Sequence, residues 1–176
     1  SYAIEGGTSR EFAELRRMMY HQPETFAVLL DKLAEVAIRH LRYQVESGAD
    51  AVVVFDTWAG ALGREDWLRY AAPWMRRVLA AVDAPRIAFA GNADHLLEDL
   101  ASLGPDAVVV DHRTSLALAF ERVGGRVALQ GNLDPAALLA PPAEVERRAA
   151  AILAEAAGRP GHVLALSHGV LKWTDP

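Results

Sequence analysis

The chain contains five short apolar runs, and each is too short to form a helix. They are rich in Val, Ile and Leu, and they comprise Ala51–Phe55, Arg86–Ala90, Ala107–Val110, Arg126–Leu129 and His162–Leu166. Strands of a parallel sheet have this composition, because helices cover both of their faces. The pattern therefore predicts five buried parallel strands.

Helical spacing marks the segments around these runs, since apolar residues recur there at intervals of three and four. The predicted helices are Glu11–Tyr20, Thr25–Glu46, Glu65–Val82, Asp94–Leu103, Thr114–Val123 and Glu144–Ala157. The order is two helices, then alternating strands and helices, and a final strand. Such alternation indicates right-handed crossovers and an α/β fold with a parallel sheet.

Two architectures fit this alternation. A (β/α)8 TIM barrel has the same rhythm, but it needs eight strands and typically about 250 residues, whereas this chain of 176 residues has five predicted strands. An open doubly wound sheet can be complete with five strands. Its dinucleotide-binding form would carry a G-x-G-x-x-G turn, which the sequence lacks. The pattern alone favours a partial barrel and an open sheet equally.

Composition narrows the classes of function. The chain is 52% hydrophobic with a net charge of −5, which predicts one domain spanning residues 1–176 and gives no basic face for nucleic acid. The lack of cysteine excludes disulfides, thiolate metal sites and cysteine nucleophiles within this chain. No apolar stretch approaches the roughly 20 residues of a membrane span, and no signal peptide is visible. We expect a cytoplasmic protein that binds neither nucleic acid nor membrane.

Polar side chains follow every predicted strand. They are Asp56, Thr57, Asn92, Asp111, His112, Asn132, Asp134, Ser167 and His168. In both architectures the carboxyl ends of the strands carry the working residues, whereas a packed core alone does not require polar groups there. This asymmetry predicts a functional site at the carboxyl edge of the sheet.

Each of these side chains also has a structural interpretation. Asp56 and Thr57 can cap a helix or hold a loop, Asp111 can pair with a nearby arginine, and Asp134, which precedes a proline, can begin a helix. His168 fits strand-end packing and ligand contact equally well. We predict no metal site, because the sequence lacks H-x-H and H-E-x-x-H pairs, and no serine hydrolase, because it lacks G-x-S-x-G.

Four motifs in order resemble the uroporphyrinogen decarboxylase family. They are SYAIEGG at 1–7, FDTWAG at 55–60, LQGNLDP at 129–135 and LSHGV at 166–170. The resemblance spans the whole chain and implies a (β/α)8 barrel, of which this chain is the carboxyl-terminal part with the last five strands. It favours the partial barrel over the open sheet. We therefore expect a longer natural protein and, in the chain itself, open edges at the first and last strands.

The resemblance also implies an activity. The family removes carboxylate from the four acetate side chains of uroporphyrinogen to give coproporphyrinogen in haem biosynthesis, without a metal or organic cofactor. An aspartate and several arginines of the family's amino-terminal half take part, so we expect the 176 residues alone to be inactive. The family enzyme is often a homodimer, which we expect of the full-length protein.

Three substrate contacts of the family fall on residues of this chain. Tyr2 lies in the family's tyrosine motif, Thr57 where the family has Ser or Thr, and His168 on the histidine of a G-H-G turn. All three can hydrogen-bond a substrate carboxylate, and Tyr2 is also the candidate catalytic residue for proton transfer. Ser167 stands where the family has glycine, and His112 where it has tryptophan.

Two alternatives to this function remain. Corrinoid-dependent methyltransferases of the same fold bind zinc through cysteine, and the absence of cysteine argues against them. A non-catalytic tetrapyrrole-binding protein would keep the pocket without the chemistry.

Overall fold

The computed structural model describes residues 2–175, and its centre is one parallel β-sheet. The strands are β1 Val52–Asp56, β2 Arg86–Ala90, β3 Ala107–Val109, β4 Ala128–Gln130 and β5 His162–Val163. Each strand pairs with the next one along the chain, in the order β1-β2-β3-β4-β5. A barrel has this order, whereas a doubly wound sheet reverses direction at a switch point. The predicted α/β partial barrel is therefore confirmed.

Helices precede β1 and connect the later strands. They are α1 Tyr2–Glu5, α2 Ala13–His21, α3 Pro23–Glu46, α4 Arg64–Tyr70, α5 Ala72–Ala80, α6 Leu97–Ala101, α7 Leu116–Val123 and α8 Pro142–Ala156. Short 3-10 turns lie at Ala59–Ala61, Asp94–Leu96 and Pro135–Leu139. Within residues 2–175, none of the helices combines the length and the apolar character that a membrane crossing requires.

The single helix predicted over Glu65–Val82 is wrong, because the structure has α4 and α5 there. Ala71 separates them with φ −120° and ψ −47°, outside regular helical geometry. Pro73 explains the break: it has no N–H to donate, and its ring would clash with the carbonyl four residues earlier in a continuous helix. Proline is tolerated in the first turn of a helix, which is where α5 places it.

The last predicted strand, His162–Leu166, is also interrupted. Regular pairing with β4 ends at Val163, and an isolated bridge between Leu133 and Leu166 resumes it. The interruption lies opposite Gly131, whose φ of +128° takes the backbone out of the extended conformation. The residues beyond the bridge are thereby turned into the loop that carries Ser167.

The main hydrophobic core joins the sheet to helices α4–α7. Its side chains with no exposed surface include Trp67, Leu79, Leu96, Val108 and Leu129. The middle of the sheet is therefore tightly fixed, and the loops after its strands start from a rigid base.

The outer strands are less well covered. Phe55 on β1 is 67% exposed and Val163 on β5 is 50% exposed, whereas Ala88 and Val108 on the inner strands are 0% exposed. Each outer strand has one strand neighbour among the described residues. The expected open edges with the sequence of buried strands are confirmed by this pairing.

Candidate functional site

A cavity of about 370 Å³ opens at the carboxyl end of the sheet, and the loops after all five strands contribute to it. Its polar lining consists of Thr57, Asn92, Asp111, His112, Asp134, Ser167 and His168. The structure thus brings together Thr57 and His168, two of the three residues predicted to contact substrate. Segments distant in sequence meet here because the strands are parallel and all end at one edge.

Close backbone packing holds the loop that carries Thr57. The N–H of Gly91 donates to the carbonyl of Asp56 at 3.0 Å, and the N–H of Gly60 donates to the carbonyl of Gly91 at 3.0 Å. A Cβ on Gly91 would lie 2.2 Å from the carbonyl oxygen of Thr57. Glycine is required at this position, since any side chain would push the Thr57 loop away from β2.

His168 presents one donor to the cavity. Its Nδ1 accepts a hydrogen bond from the backbone N–H of Gly169 at 2.7 Å, and its ring packs edge-on against Phe89 with centroids 5.6 Å apart. With Nδ1 accepting, the proton of the neutral ring is on Nε2. His168 is exposed, and its Nε2–H is suited to hydrogen-bond a carboxylate oxygen.

Asp111 is held as a carboxylate by its neighbour. Arg113 donates to both of its side-chain oxygens at 2.7 Å and also contacts the Asn92 side chain. This hydrogen bonding by Arg113 lowers the pKa of Asp111, against the opposing effect of burial. The predicted pairing of Asp111 with an arginine is confirmed.

Two further polar residues hold the backbone around the site. Asn132 is 7% exposed, and its amide donates to the carbonyls of Asp111 at 3.0 Å and Thr114 at 2.7 Å, which ties the β4 loop to the β3 loop. Asp134 accepts from the N–H of Ala136 at 2.9 Å and begins the following 3-10 turn, as its helix-start interpretation predicts.

Asp56 faces away from this cavity. Its carboxylate accepts from the indole N–H of Trp67 at 3.3 Å and lines a separate, apolar cavity beside α3. Burial raises the pKa of Asp56, and the hydrogen bond from Trp67 opposes that rise. Asp56 thus has a structural contact, but as the acceptor for a core tryptophan and not as the predicted helix cap.

Tyr2 lies outside the cavity that Thr57 and His168 share. It is 56% exposed and lines a neighbouring cavity of about 390 Å³ together with Arg10 and Trp58. Trp58 lines both cavities and packs against Phe12 with centroids 5.3 Å apart. The role predicted for Tyr2 stays a prediction, since the described residues place it one cavity away.

One contact in the site was not predicted. Nδ1 of His112 lies 2.9 Å from Oγ of Ser167. Both residues were noted as departures from the resembling family, but nothing in the sequence pairs two strand ends that are not adjacent in the sheet. In the described part of the chain, no three His, Cys, Asp or Glu side chains cluster closely enough to hold a metal ion.

A parallel sheet in chain order, with polar side chains gathered at its carboxyl edge, defines a protein of the (β/α)8-barrel class. Within that class the comparison with known families is decisive: the sequence model of the family described as uroporphyrinogen decarboxylase (URO-D) matches residues 1–176. The chain belongs to the uroporphyrinogen decarboxylase family.

Curated relatives named uroporphyrinogen decarboxylase are similar along the whole chain. The protein from Frankia casuarinae is 45% identical over 178 residues, covering 100% of this chain and 48% of the relative. The protein from Syntrophotalea carbinolica is 44% identical, covering 99% and 52%. The protein from Hahella chejuensis is 40% identical, covering 100% and 51%. The chain spans about half the length of these relatives.

A solved structure supports the fold independently. The structure described as a methyltransferase from Methanosarcina mazei superposes with a TM-score of 0.84, covering 93% of this chain and 49% of that one. Sequence identity is 22%, so this likeness concerns the fold alone.

Proposed function

We propose that this chain is the carboxyl-terminal part of a single barrel domain that decarboxylates the four acetate side chains of uroporphyrinogen to give coproporphyrinogen. Membership of the family supports a decarboxylase of this kind. The observation that supports specific residues is that Thr57 and His168, which follow strands at opposite edges of the sheet, line the same cavity.

The two side chains suit a carboxylate ligand. The hydroxyl of Thr57 and the Nε2–H of His168 are hydrogen-bond donors, and hydrogen bonds to an ionised acceptor are stronger than those between neutral groups. Of the two carboxylates in the cavity, Asp111 is paired with Arg113, whereas Asp134 accepts a backbone N–H and has no cation partner among residues 2–175.

Among residues 2–175, neither Lys nor Arg lines the cavity, so this part of the chain places no cation on its surface. A substrate with many carboxylates needs positive charge to offset its desolvation. We therefore propose that arginines from outside residues 2–175 complete the site, and that the 176 residues alone do not turn over substrate.

The proposed reaction uses the pyrrole ring as the electron acceptor. A ring carbon takes a proton, the bond between the acetate methylene and its carboxylate breaks, and carbon dioxide leaves. The electron pair of the broken bond returns to the ring system, a second proton converts the methylene into a methyl group, and the first proton leaves the ring carbon to restore the pyrrole. Thr57 and His168 hold substrate carboxylates in place, and Tyr2 contacts substrate and moves a proton. Orientation by such contacts lowers the barrier when it favours the reacting geometry.

The test replaces each donor in the full-length protein, with Thr57→Val and His168→Phe, and with His40→Asn on the exposed face of α3 as the control. Removing a hydrogen bond to a charged group costs about 1.5–3 kcal/mol, so each variant should lose about 10- to 150-fold in acetate decarboxylation or uroporphyrin affinity. Chromatography of the oxidised porphyrins, separated by number of carboxylates, measures the turnover.

The outcomes separate the alternatives. Unchanged turnover in both variants contradicts the assigned roles, and robust turnover by the isolated 176 residues contradicts the incomplete site. Uroporphyrin binding without turnover in the full-length protein supports the non-catalytic alternative. The homodimer and the cofactor-free reaction rest on the family resemblance, the cytoplasmic location rests on composition, and all three stay predictions.

A further inference from the structure

The contact between His112 and Ser167 joins a buried hydroxyl to an accessible ring. Ser167 is 3% exposed, whereas the His112 side chain is 32% exposed, and both residues line the cavity that contains Thr57 and His168. The buried partner is therefore placed to orient the accessible one.

We propose that His112 is a further carboxylate-contacting residue of this cavity, acting through Nε2, and that Ser167 is the positioning residue that fixes its ring. The proposal rests on the proposed function and names a side chain of the same site.

Ser167 is a firm anchor. Its backbone N–H donates to the carbonyl of Leu133 at 2.9 Å, beside the bridge that extends the pairing of β4 and β5. Its hydroxyl has His112 as its one hydrogen-bond partner among residues 2–175. A buried hydroxyl that loses its partner costs about 1–3 kcal/mol, so this contact favours one orientation of the imidazole.

The nearby carboxylate does not compete for the same nitrogen. Oδ1 of Asp111 lies 3.8 Å from Nδ1 of His112, beyond hydrogen-bond distance, and Arg113 occupies both oxygens of that carboxylate. When the serine hydroxyl donates to Nδ1, the proton of the neutral ring is on Nε2. Nε2 makes no hydrogen bond within the described part of the chain and is left for a ligand.

The position of His112 complements the other two donors. Thr57 follows β1, His112 follows β3 and His168 follows β5, so a ligand that spans the cavity meets a donor from every second strand. A molecule with several carboxylates is the class of ligand that such a spread of donors suits.

Two substitutions at His112 distinguish the roles of its two nitrogens. His112→Gln keeps an N–H donor near the position of Nε2, whereas His112→Asn keeps an amide near Nδ1 and removes the group that faces the cavity. In the full-length protein we expect the Asn variant to bind uroporphyrin about 10-fold more weakly and the Gln variant to bind it nearly as well as the parent. His40→Asn, outside the site, is the matched control.

The positioning role of Ser167 has its own measurement. Nitrogen NMR of the histidine-labelled full-length protein should show His112 as a single Nε2–H tautomer. Ser167→Ala should produce a mixture of tautomers, and Ser167→Thr should restore the single form. A serine that only fills space would leave the tautomer unchanged in all three proteins.

A second probe separates this proposal from the proposed function. Butane-1,2,3,4-tetracarboxylate carries four carboxylates without a tetrapyrrole, and it should shift the Nε2 resonance of His112. If it does so while uroporphyrin fails to bind the parent protein, the proposed function fails and the role of His112 stands. If uroporphyrin binds the parent and the Asn variant equally, or if Gln and Asn lose affinity equally, the role of His112 is overturned.

Discussion

Replacing Asp56 by asparagine and by alanine separates two opposing effects of one buried carboxyl group. The carboxylate accepts a hydrogen bond from Trp67, whose side chain is 0% exposed, so it satisfies a donor that water cannot reach. Burial also raises the pKa of Asp56, which means that the folded state holds this charge at a cost in free energy. Asparagine keeps the acceptor and removes the charge, whereas alanine removes both.

The expected magnitudes follow from these contacts. Asp56→Ala leaves the indole N–H unpaired and should lower the free energy of unfolding by about 1–3 kcal/mol, in the lower part of that range because the bond is long at 3.3 Å. Asp56→Asn should be at least as stable as the parent at pH 7. The ordering at neutral pH is therefore Asn, then parent, then Ala.

The pH dependence gives the sign of the charge effect. Because the pKa of Asp56 is higher in the folded state than its ordinary value of 3.8, the folded state binds the proton more tightly. The parent therefore loses stability relative to Asn as pH rises from about that ordinary value through the raised one. The parent and the Asn variant should become equally stable when the pH falls below both the ordinary and the raised pKa of Asp56.

Urea unfolding, followed by tryptophan fluorescence and circular dichroism between pH 3 and 7, tests this expectation. Equal denaturant slopes show that the variants expose similar surface and that their midpoints report stability. An Asn variant that is as unstable at pH 7 as the Ala variant would refute the reasoning, because the charge itself would then be the stabilising feature.

Three further substitutions test the packing and the charges around the site. Gly91→Ala should cost about 3 kcal/mol of unfolding free energy, because its Cβ would meet the Thr57 carbonyl at 2.2 Å. Gly7→Ala, with nothing within 4 Å, is the control in thermal unfolding. Leu129→Ala should cost about 2–5 kcal/mol in urea unfolding, since this side chain is 0% exposed, whereas Leu153→Ala at 50% exposure should cost far less. The pKa of Asp111 is lowered, so its pairing with Arg113 stabilises the fold at neutral pH, and this stabilisation is lost as pH falls through the lowered pKa. Asp111→Asn should therefore reduce the loss of unfolding free energy on acidification, and an unchanged loss would contradict this role.

The order of elements was predictable from the sequence because buried parallel strands have a distinctive composition. Residues Arg86–Ala90 were predicted to the residue, since an apolar run flanked by loop residues marks both ends. The fourth strand begins at Ala128, two residues later than predicted, because the backbone N–H of Arg126 donates to the carbonyl of Val123 at 3.2 Å, in the turn after α7. Apolar character indicates which residues are buried, whereas the start of the ladder depends on backbone hydrogen bonds.

The site was predictable only as an edge of the sheet. Strand periodicity places every carboxyl end on one side, so the meeting of Thr57 and His168 follows from topology. Which loops touch across that edge depends on side-chain geometry. The hydrophobic pattern therefore could not predict the hydrogen bond between His112 and Ser167. Tyr2 was predicted from a sequence motif, but the motif does not specify which cavity its side chain lines, and the structure places it in the neighbouring one.

Additional strands would account for two features of the structure, its exposed edge strands and the lack of a cation among the described residues of its cavity. Apolar side chains on both edge strands are exposed, as at Phe55 and Val163, and the cavity between the strand ends has donors but no cation among its lining residues. Arg113 does not fill that gap, since it cancels the repulsion that Asp111 would exert on an anionic ligand. Strands inserted between β5 and β1 would cover both edges. Their carboxyl ends would also face this cavity, which is where a polyanionic substrate requires arginines. Strands that closed the barrel are therefore the ones that we propose to supply positive charge to this cavity.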